Sequence, residues 1–262
     1  MLDRDQLLRK FIKPEEKLLF SKALNQVFIC EEKCFKTFSD FLDPIKAELF
    51  SKVISESSDI IVKSFGGAEG CERKLLGFSP YWEELTEEEF PIDQIEIIFS
   101  KTGGKGLSHK DFLGSILGLG IDRAKIGDIF IFEKRAVAFV NKSVSDFIIM
   151  GLKSVGRVSV EASIVQDEFF IPPLLEYKET AVNVASLRLD AVISAGFLLS
   201  RSLSLKLIQG DKAQINWVNI SNPSAAVKKG DSITLRGHGR LIITDIEERR
   251  KEGFKISLRR LG

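Results

Sequence analysis

The sequence predicts an α+β protein, and three observations lead to this fold class. Residues 1–57 carry apolar side chains at helical spacing, which is typical of amphipathic helices. Residues 58–165 alternate strand-length apolar runs with helical segments, which indicates helices packed on one face of an antiparallel sheet. Residues 186–262 contain two short helical stripes followed by extended runs that Gly-Asp turns separate. Residues 166–185, with two adjacent prolines, are predicted to be a connector.

The elements of the first two regions follow from their periodicity. In the first region, Asp43 followed by Pro44 predicts a helix start, because aspartate caps a helix and proline fits its first turn. The strands predicted in the second region are residues 60–62, 95–99, 129–132 and 136–140, and its helices are residues 111–117 and 144–152.

Two short helices are predicted in the last region. Gly196 is expected to end the first, because glycine tolerates the positive backbone angle of a helix end, and Ser200 is the predicted N-cap of the second. The buried stripe of the first helix consists of Leu189, Val192 and Ile193, and that of the second of Leu203, Leu207 and Ile208. The polar side of the second helix consists of Arg201, Ser202, Lys206 and Gln209.

Charge is distributed unevenly along the chain. The whole chain has 38 Lys and Arg against 37 Asp and Glu, but residues 186–262 have 14 against 7. The first 185 residues therefore have 24 against 30. A basic tail behind an acidic front is the expected electrostatic pattern of a domain that binds phosphate, although surface charge alone would also account for it.

Composition argues against several other classes of protein. No apolar run approaches the roughly 20 residues that cross a bilayer, so no membrane insertion is expected. The charged N-terminus is unlike a secretory signal, and three cysteines suit a reducing compartment, which predicts a cytoplasmic protein, or a stromal one in a plastid-bearing organism. With two histidines and no glycine-rich cofactor motif after a strand, we expect no metal, no cofactor and no catalytic residues.

A glycine-rich segment of the middle region has the composition of a phosphate-binding loop. Residues 101–106 precede a helix that Ser108 is predicted to cap, with Asp111 completing a capping box. Exposed backbone N–H groups and a helix start attract anions, so Lys101, Lys105 and Lys110 are predicted to make secondary phosphate contacts. The spacing is not that of a nucleotide P-loop, and we favour a simple flexible loop over a phosphate-binding one.

Residues 186–240 resemble the alpha-L RNA-binding motif, also called the S-four domain. The motif is carried by Arg188-Leu189-Asp190, Gly196, Ser200-Arg201, Leu207-Ile208-x-Gly210, Ile215-Asn216, Pro223 and Val227-x-x-Gly230-Asp231. In that family the two helices and the strand that follows contact RNA. By position, the resemblance implies RNA contacts from Arg188, Arg201, Lys206, Asn216, Lys228, Lys229 and Arg236, and we add Trp217 and Arg240.

Two positions of the motif leave alternatives open. The family usually has glycine where this chain has Trp217, so a different turn is expected, and the ring either stacks on a base or belongs to the core. Arg-Leu-Asp also occurs in pseudouridine synthases, where the aspartate is the nucleophile. For Asp190 we favour a structural role, in which it caps its helix or pairs with a nearby arginine.

A second resemblance covers nearly the whole chain. Residues 108–121, followed by Arg123 and Gly127-Asp128-Ile129, are similar to the equivalent block of YlmH-type proteins, and most similar to the cyanobacterial and plastid branch called photosystem II S-four domain proteins. The resemblance implies a helical front, a ferredoxin-like middle and an RNA-binding tail. It also implies structured RNA, rRNA or tRNA, as the partner, with the ribosome as a further partner and no reading of DNA sequence.

The function predicted from the sequence is therefore non-enzymatic RNA binding in a ribosome-associated role. The alternatives are an RNA-modifying enzyme of the pseudouridine synthase kind and a photosystem II assembly factor that acts through protein contacts.

Overall fold

The computed structural model describes residues 4–11, 13–99, 106–165, 170, 178–249 and 253–261. The chain forms two compact units, Met1–Pro173 and Leu174–Gly262, which we call the body and the tail. Helices and strands are mixed in both units, so the α+β class predicted from the sequence is confirmed.

The first part of the body packs three helices against a small sheet. These elements are α1 (Arg4–Leu8), α2 (Pro14–Lys33), β1 (Thr37–Phe38), α3 (Pro44–Ser55), β2 (Ile61–Phe65) and β3 (Leu75–Ser79). The predicted cap of α3 is present, because the Asp43 carboxylate accepts a hydrogen bond from the Lys46 backbone N–H at 3.0 Å. The sheet has the order β1-β3-β2, and the helical core extends to Leu76 and Phe78 of its central strand. The sequence prediction missed β3, because all five of its residues are buried and no alternation marks it.

The second part of the body is a five-stranded antiparallel sheet with two helices. Its elements are β4 (Ile92–Phe99), α4 (His109–Leu117), β5 (Ile126–Ile131), β6 (Arg135–Asn141), α5 (Ser145–Gly151), β7 (Ser154–Val155) and β8 (Val158–Val165). The strand order β5-β6-β4-β8-β7 interleaves two β-α-β units, which is the ferredoxin-like topology that the resemblance implied. Both helices lie on one face, where Phe112, Ile116 and Ile148 pack against Ile95 and Ile97.

The tail packs two helices against a six-stranded sheet. Its elements are β9 (Lys178–Val184), α6 (Leu189–Phe197), α7 (Arg201–Gln209), β10 (Ala213–Ile215), β11 (Val218–Asn219), β12 (Ser232–Leu235), β13 (Gly239–Glu248) and β14 (Phe254–Leu261). The sheet order is β11-β10-β12-β13-β14-β9. The connector predicted over residues 166–185 is therefore wrong in its last part, because Lys178–Val184 is an edge strand that pairs with β14. Of residues 166–177, only Phe170 is among the described residues, and it packs in the body against Phe130 and Phe139.

Two details of the tail helices differ from the prediction. Helix α6 continues past Gly196, and the residue with positive φ at its end is Leu198, at +58°. Gly196 serves a close approach instead, because a Cβ there would lie 2.4 Å from Leu241 Cδ1. In α7 the buried positions are Ser204 and Ile208, whereas Leu203 is 40% exposed. Ser204 can be buried because its hydroxyl donates to the Ser200 carbonyl at 3.0 Å.

Among the described residues, no single helix is long and apolar enough to cross a membrane. Helices α6 and α7 taken together meet the length and composition criteria, but the chain bends by 120° between them.

Candidate RNA interface

The start of α6 pairs a surface arginine with a buried aspartate. Arg188 donates from Nε to Asp190 Oδ1 at 3.0 Å and from Nη2 to Asp190 Oδ2 at 2.9 Å. Hydrogen bonding from Arg188 holds the pKa of Asp190 below its ordinary value, and the charge of Arg201 adds to this effect. The predicted pairing of Asp190 with a nearby arginine is therefore present. Both oxygens of this carboxylate accept hydrogen bonds from Arg188, so the aspartate fixes the arginine at the start of α6.

The segment before β12 brings a lysine to the same end of the helices. The backbone N–H groups of Leu189 and Asp190 donate to the carbonyls of Ala225 and Pro223, at 2.9 and 3.1 Å. The Val227 N–H donates to the Leu187 carbonyl at 3.0 Å, so the chain continues into Lys228 beside the start of α6. We call the exposed side chains gathered here the helix-start rim; they are Arg188, Arg201 and Lys228.

A buried aspartate ties the hairpin between β10 and β11 to the same segment. Asp231, 3% exposed, accepts from Asn216 Nδ2 and from the Lys228 backbone N–H, both at 2.8 Å. Asn216 Oδ1 in turn accepts from the Ser232 backbone N–H at 2.8 Å. The Asn216 amide, predicted to contact RNA, is thus engaged within the tail and positions the turn.

Trp217 adopts the backbone conformation that glycine usually supplies. Asn216 and Trp217 both have positive φ, +48° and +68°, and form the two-residue turn between Ile215 and Val218. The expectation of a different turn is therefore wrong. The turn keeps its left-handed backbone with tryptophan in place of glycine, and the fold tolerates the strain that this conformation causes. The Arg240 guanidinium lies 4.4 Å from the centre of the Trp217 ring, which is only partly buried.

The strand register separates the predicted contacts into groups. Successive side chains of a strand point to opposite faces of the sheet, and Leu241 of β13 points towards α6. Its neighbour Arg240 and the cross-strand partner Thr234, which are hydrogen-bonded to each other, therefore lie on the outer face. Arg236 is exposed at the opposite end of β12 from Asn216, where its N–H donates to the Lys212 carbonyl at 2.9 Å. Lys212 is exposed there too, but it is not one of the residues that carry the family motif, so the resemblance did not point to it.

The remaining predicted contacts lie apart from the helix-start rim or outside the described residues. Lys206 is exposed on α7, and Lys229 is ion-paired with Asp245 at 2.9 Å. In the body, Lys110 is exposed in the first turn of α4, whose start is capped by Asp111 accepting from the Ser108 N–H at 2.8 Å. Lys101 and Lys105 lie outside the described residues. In the part of the chain that the structure describes, no group of three or more His, Cys, Asp or Glu side chains could hold a metal ion.

Three comparisons relate this chain to known proteins. Residues 86–168 match the family model of the RNA-binding domain in YlmH. The ribosome-associated protein quality control protein P2 of Bacillus subtilis (strain 168) is 27% identical over 247 residues, which cover 94% of this chain and 95% of that protein. The solved structure of the cell division protein YlmH from Streptococcus pneumoniae matches with a TM-score of 0.52 and 22% identity, over 60% of this chain and 94% of that one, which shows a shared fold.

The matched RNA-binding domain is the ferredoxin-like part of the body, not the tail. Sequence reasoning placed only secondary contacts there, because residues 86–168 carry 10 Lys and Arg against 13 Asp and Glu and give no basic signal. Exposed basic side chains that this reasoning missed are Lys134, Lys142, Lys153 and Arg157.

Proposed function

We propose that this chain, which is similar to YlmH-type proteins, is a non-enzymatic protein that binds structured RNA, rRNA or tRNA, in association with the ribosome. In this proposal the tail makes the main phosphate contacts, and Lys101, Lys105 and Lys110 of the body make secondary ones.

The observation that carries this proposal is the division of charge in the tail. The aspartates at positions 190 and 231 are buried and satisfied internally, whereas Arg188, Arg201 and Lys228 remain at the surface. Surface cations on a folded rim suit phosphate groups presented at fixed spacing, as in double-helical or junction RNA.

The proposed ribosomal role is supported by the B. subtilis relative, whose name describes ribosome-associated quality control. The alignment covers almost all of both chains, so the comparison applies to the whole protein and not to one domain. Affinity purification with and without RNase tests this role. Ribosome recovery that depends on intact RNA is expected, and partners that persist equally after RNase would instead favour a role through protein contacts.

The contact residues are tested by removing two surface cations from α7. Arg201→Ala combined with Lys206→Ala should weaken binding of a labelled tRNA transcript by roughly 1–3 kcal/mol, because phosphate contacts are lost while Ser204 and Ile208 keep α7 packed. The matched control is Lys17→Ala with Lys52→Ala, which removes the same charge from exposed positions on α2 and α3. Equal weakening in both variants would show a general charge effect and would remove this helix from the interface.

Salt dependence measures how much of the binding is electrostatic. With roughly four to six phosphate contacts, the logarithm of affinity should fall with the logarithm of salt at a slope of roughly −3 to −5. A flat response would contradict phosphate binding.

The non-enzymatic part of the proposal has its own test. RNA incubated with the wild-type protein or with Asp190→Asn is mapped for pseudouridine. We expect no isomerised uridine with either protein, and isomerisation that depends on Asp190 would overturn the assignment.

A further inference from the structure

Two large aromatic side chains lie exposed together on the body. Tyr81 is 69% and Trp82 61% exposed, and their ring centres are 4.7 Å apart in an edge-to-face arrangement. Tryptophan is largely buried in most folded proteins, and a solvated Tyr-Trp pair contributes nothing to a core. Tyrosine and tryptophan are, however, the residues that most often supply the binding energy of protein interfaces.

The loop that carries this pair is firmly anchored. Leu85 and Phe90 are 3% and 4% exposed and fix the loop in a small apolar cluster. The Glu83 N–H donates to the Pro80 carbonyl at 3.0 Å, and the Glu83 carbonyl accepts from Ser79 Oγ at 2.8 Å. The rings are thus held on an ordered support, so a partner would bind without first ordering the loop.

The surroundings of the pair are strongly acidic. Residues 83–89 contain five glutamates, all exposed, and no basic residue. Lys36 bridges two of them, with Nζ 3.2 Å from Glu83 Oε1 and 2.5 Å from Glu89 Oε1. One lysine cannot balance five carboxylates, so the loop keeps a negative field around the rings.

We propose that the loop of residues 80–90 is a docking site for a lysine- or arginine-rich segment of a protein. An arginine or lysine side chain placed over the Trp82 or Tyr81 ring gains a cation–π contact, and the neighbouring glutamates attract the other cations of the segment. The same carboxylates repel phosphate, so this surface is distinct from the RNA-binding surface proposed above. The protein would therefore hold RNA on its basic side chains and a basic protein segment on this loop.

The test measures binding of a fluorescein-labelled peptide of alternating arginine and glycine to the full chain. Fluorescence anisotropy of the peptide reports the binding. Tyr81→Ala with Trp82→Ala should weaken peptide binding about tenfold, the loss expected from two aromatic contacts. Glu84→Gln with Glu87→Gln and Glu88→Gln should weaken it too and should flatten its salt dependence. The matched control is Phe147→Ala with Met150→Ala, which removes two side chains that are 53% and 66% exposed on α5.

The outcomes separate this proposal from the proposed function. Thermal unfolding confirms that the variants remain folded, and binding of the labelled tRNA transcript is measured in parallel. Loss of peptide binding with unchanged tRNA binding supports the docking site, even if the RNA proposal should fail. Peptide binding that is equal in the wild type and in both loop variants overturns the docking-site proposal. Loss of tRNA binding in the aromatic variant, with peptide binding retained, would assign the loop to RNA and likewise overturn it.

Discussion

The body and the tail use arginine and aspartate in opposite ways. In the body, half-buried Arg73 donates from Nε to the Ile126 carbonyl at 3.0 Å and from Nη2 to the Phe41 carbonyl at 2.9 Å, and its backbone N–H donates to Asp128 at 2.9 Å. Burial lowers the pKa of Arg73 and raises that of Asp128. In the tail, the Arg188 side chain is 47% exposed over an aspartate whose side chain is only 11% exposed.

This difference shows why the position of a charge matters more than its number. A guanidinium that donates to carbonyls inside the body stabilises the fold and is not offered to a ligand. A guanidinium held at the surface by a buried carboxylate is fixed in place, yet it keeps N–H groups that can reach a phosphate.

The largest effect is expected from removing the interior arginine. Arg73→Ala should lower the free energy of unfolding by about 3–5 kcal/mol, because the Ile126 and Phe41 carbonyls lose their donor and a cavity remains. Arg135→Ala is the matched control, since Arg135 is 42% exposed in its pair with Glu96 and should cost about 1 kcal/mol or less. Urea unfolding measures both, and equal losses would erase the distinction between interior and surface arginines.

A smaller loss is expected at the buried acid of the tail. Asp190→Asn should cost about 1–3 kcal/mol at neutral pH, because a charge-assisted pair becomes a neutral one. Since the pKa of Asp190 is lowered, its ionised form stabilises the fold above the unfolded pKa of about 3.9, and this contribution disappears as pH falls through the folded pKa. The stability difference between wild type and variant should therefore shrink at acid pH, and a constant difference would show that ionisation is irrelevant.

Asp128→Asn should show the opposite pH dependence. Because burial raises the pKa of Asp128, its ionised form costs stability at neutral pH, and protonation relieves that cost as pH falls through the raised pKa. The wild type should gain stability relative to this variant between that pKa and about pH 4, as measured by urea unfolding in a pH series. A gain by the variant instead would mean that the body also stabilises its aspartate in the ionised form.

The smallest change in stability is expected at the strained turn of the tail. Trp217→Gly should remove the strain of a left-handed backbone, which stabilises the fold by about 1 kcal/mol. It should also remove the ring contact with Arg240, which destabilises the fold by a similar amount. The free energy of unfolding should therefore stay within about 1 kcal/mol of the wild-type value. Binding of the tRNA transcript should nevertheless weaken by about 1–3 kcal/mol if the ring stacks on a base. Unchanged RNA binding with lower stability would make Trp217 a purely structural residue.

The sequence predicted what depends on neighbours along the chain. The pairing of Arg188 with Asp190 joins residues two positions apart, and the caps at Asp43 and Ser200 are local as well. It did not predict the link between Asn216 and Asp231, which are 15 positions apart and meet only when β10 lies beside β12. It also gave no sign that Arg73 would turn inward, since that depends on carbonyls far along the chain.

The site was predicted less completely than the fold. Basic composition pointed to the tail, but a near-neutral or acidic surface can still carry a local group of cations. The match of residues 86–168 to an RNA-binding domain therefore came from the family comparison and not from charge. The sequence shows that Trp217 stands where the family usually has glycine, but it does not predict the positive φ of this residue. Residue propensity gives only the cost of a backbone conformation, and not whether the surrounding hydrogen bonds impose it.

The edge strand β9 decides how the tail can be isolated. It covers one side of β14 along seven paired residues, from Lys178 to Val184. A fragment that begins at Ser186, where the family motif starts, would leave the main-chain N–H and C=O groups of β14 open to another chain. Such a truncation invites self-association and aggregation, which an RNA-binding assay could mistake for cooperative binding. A soluble tail therefore needs its sheet closed by the strand that precedes the motif.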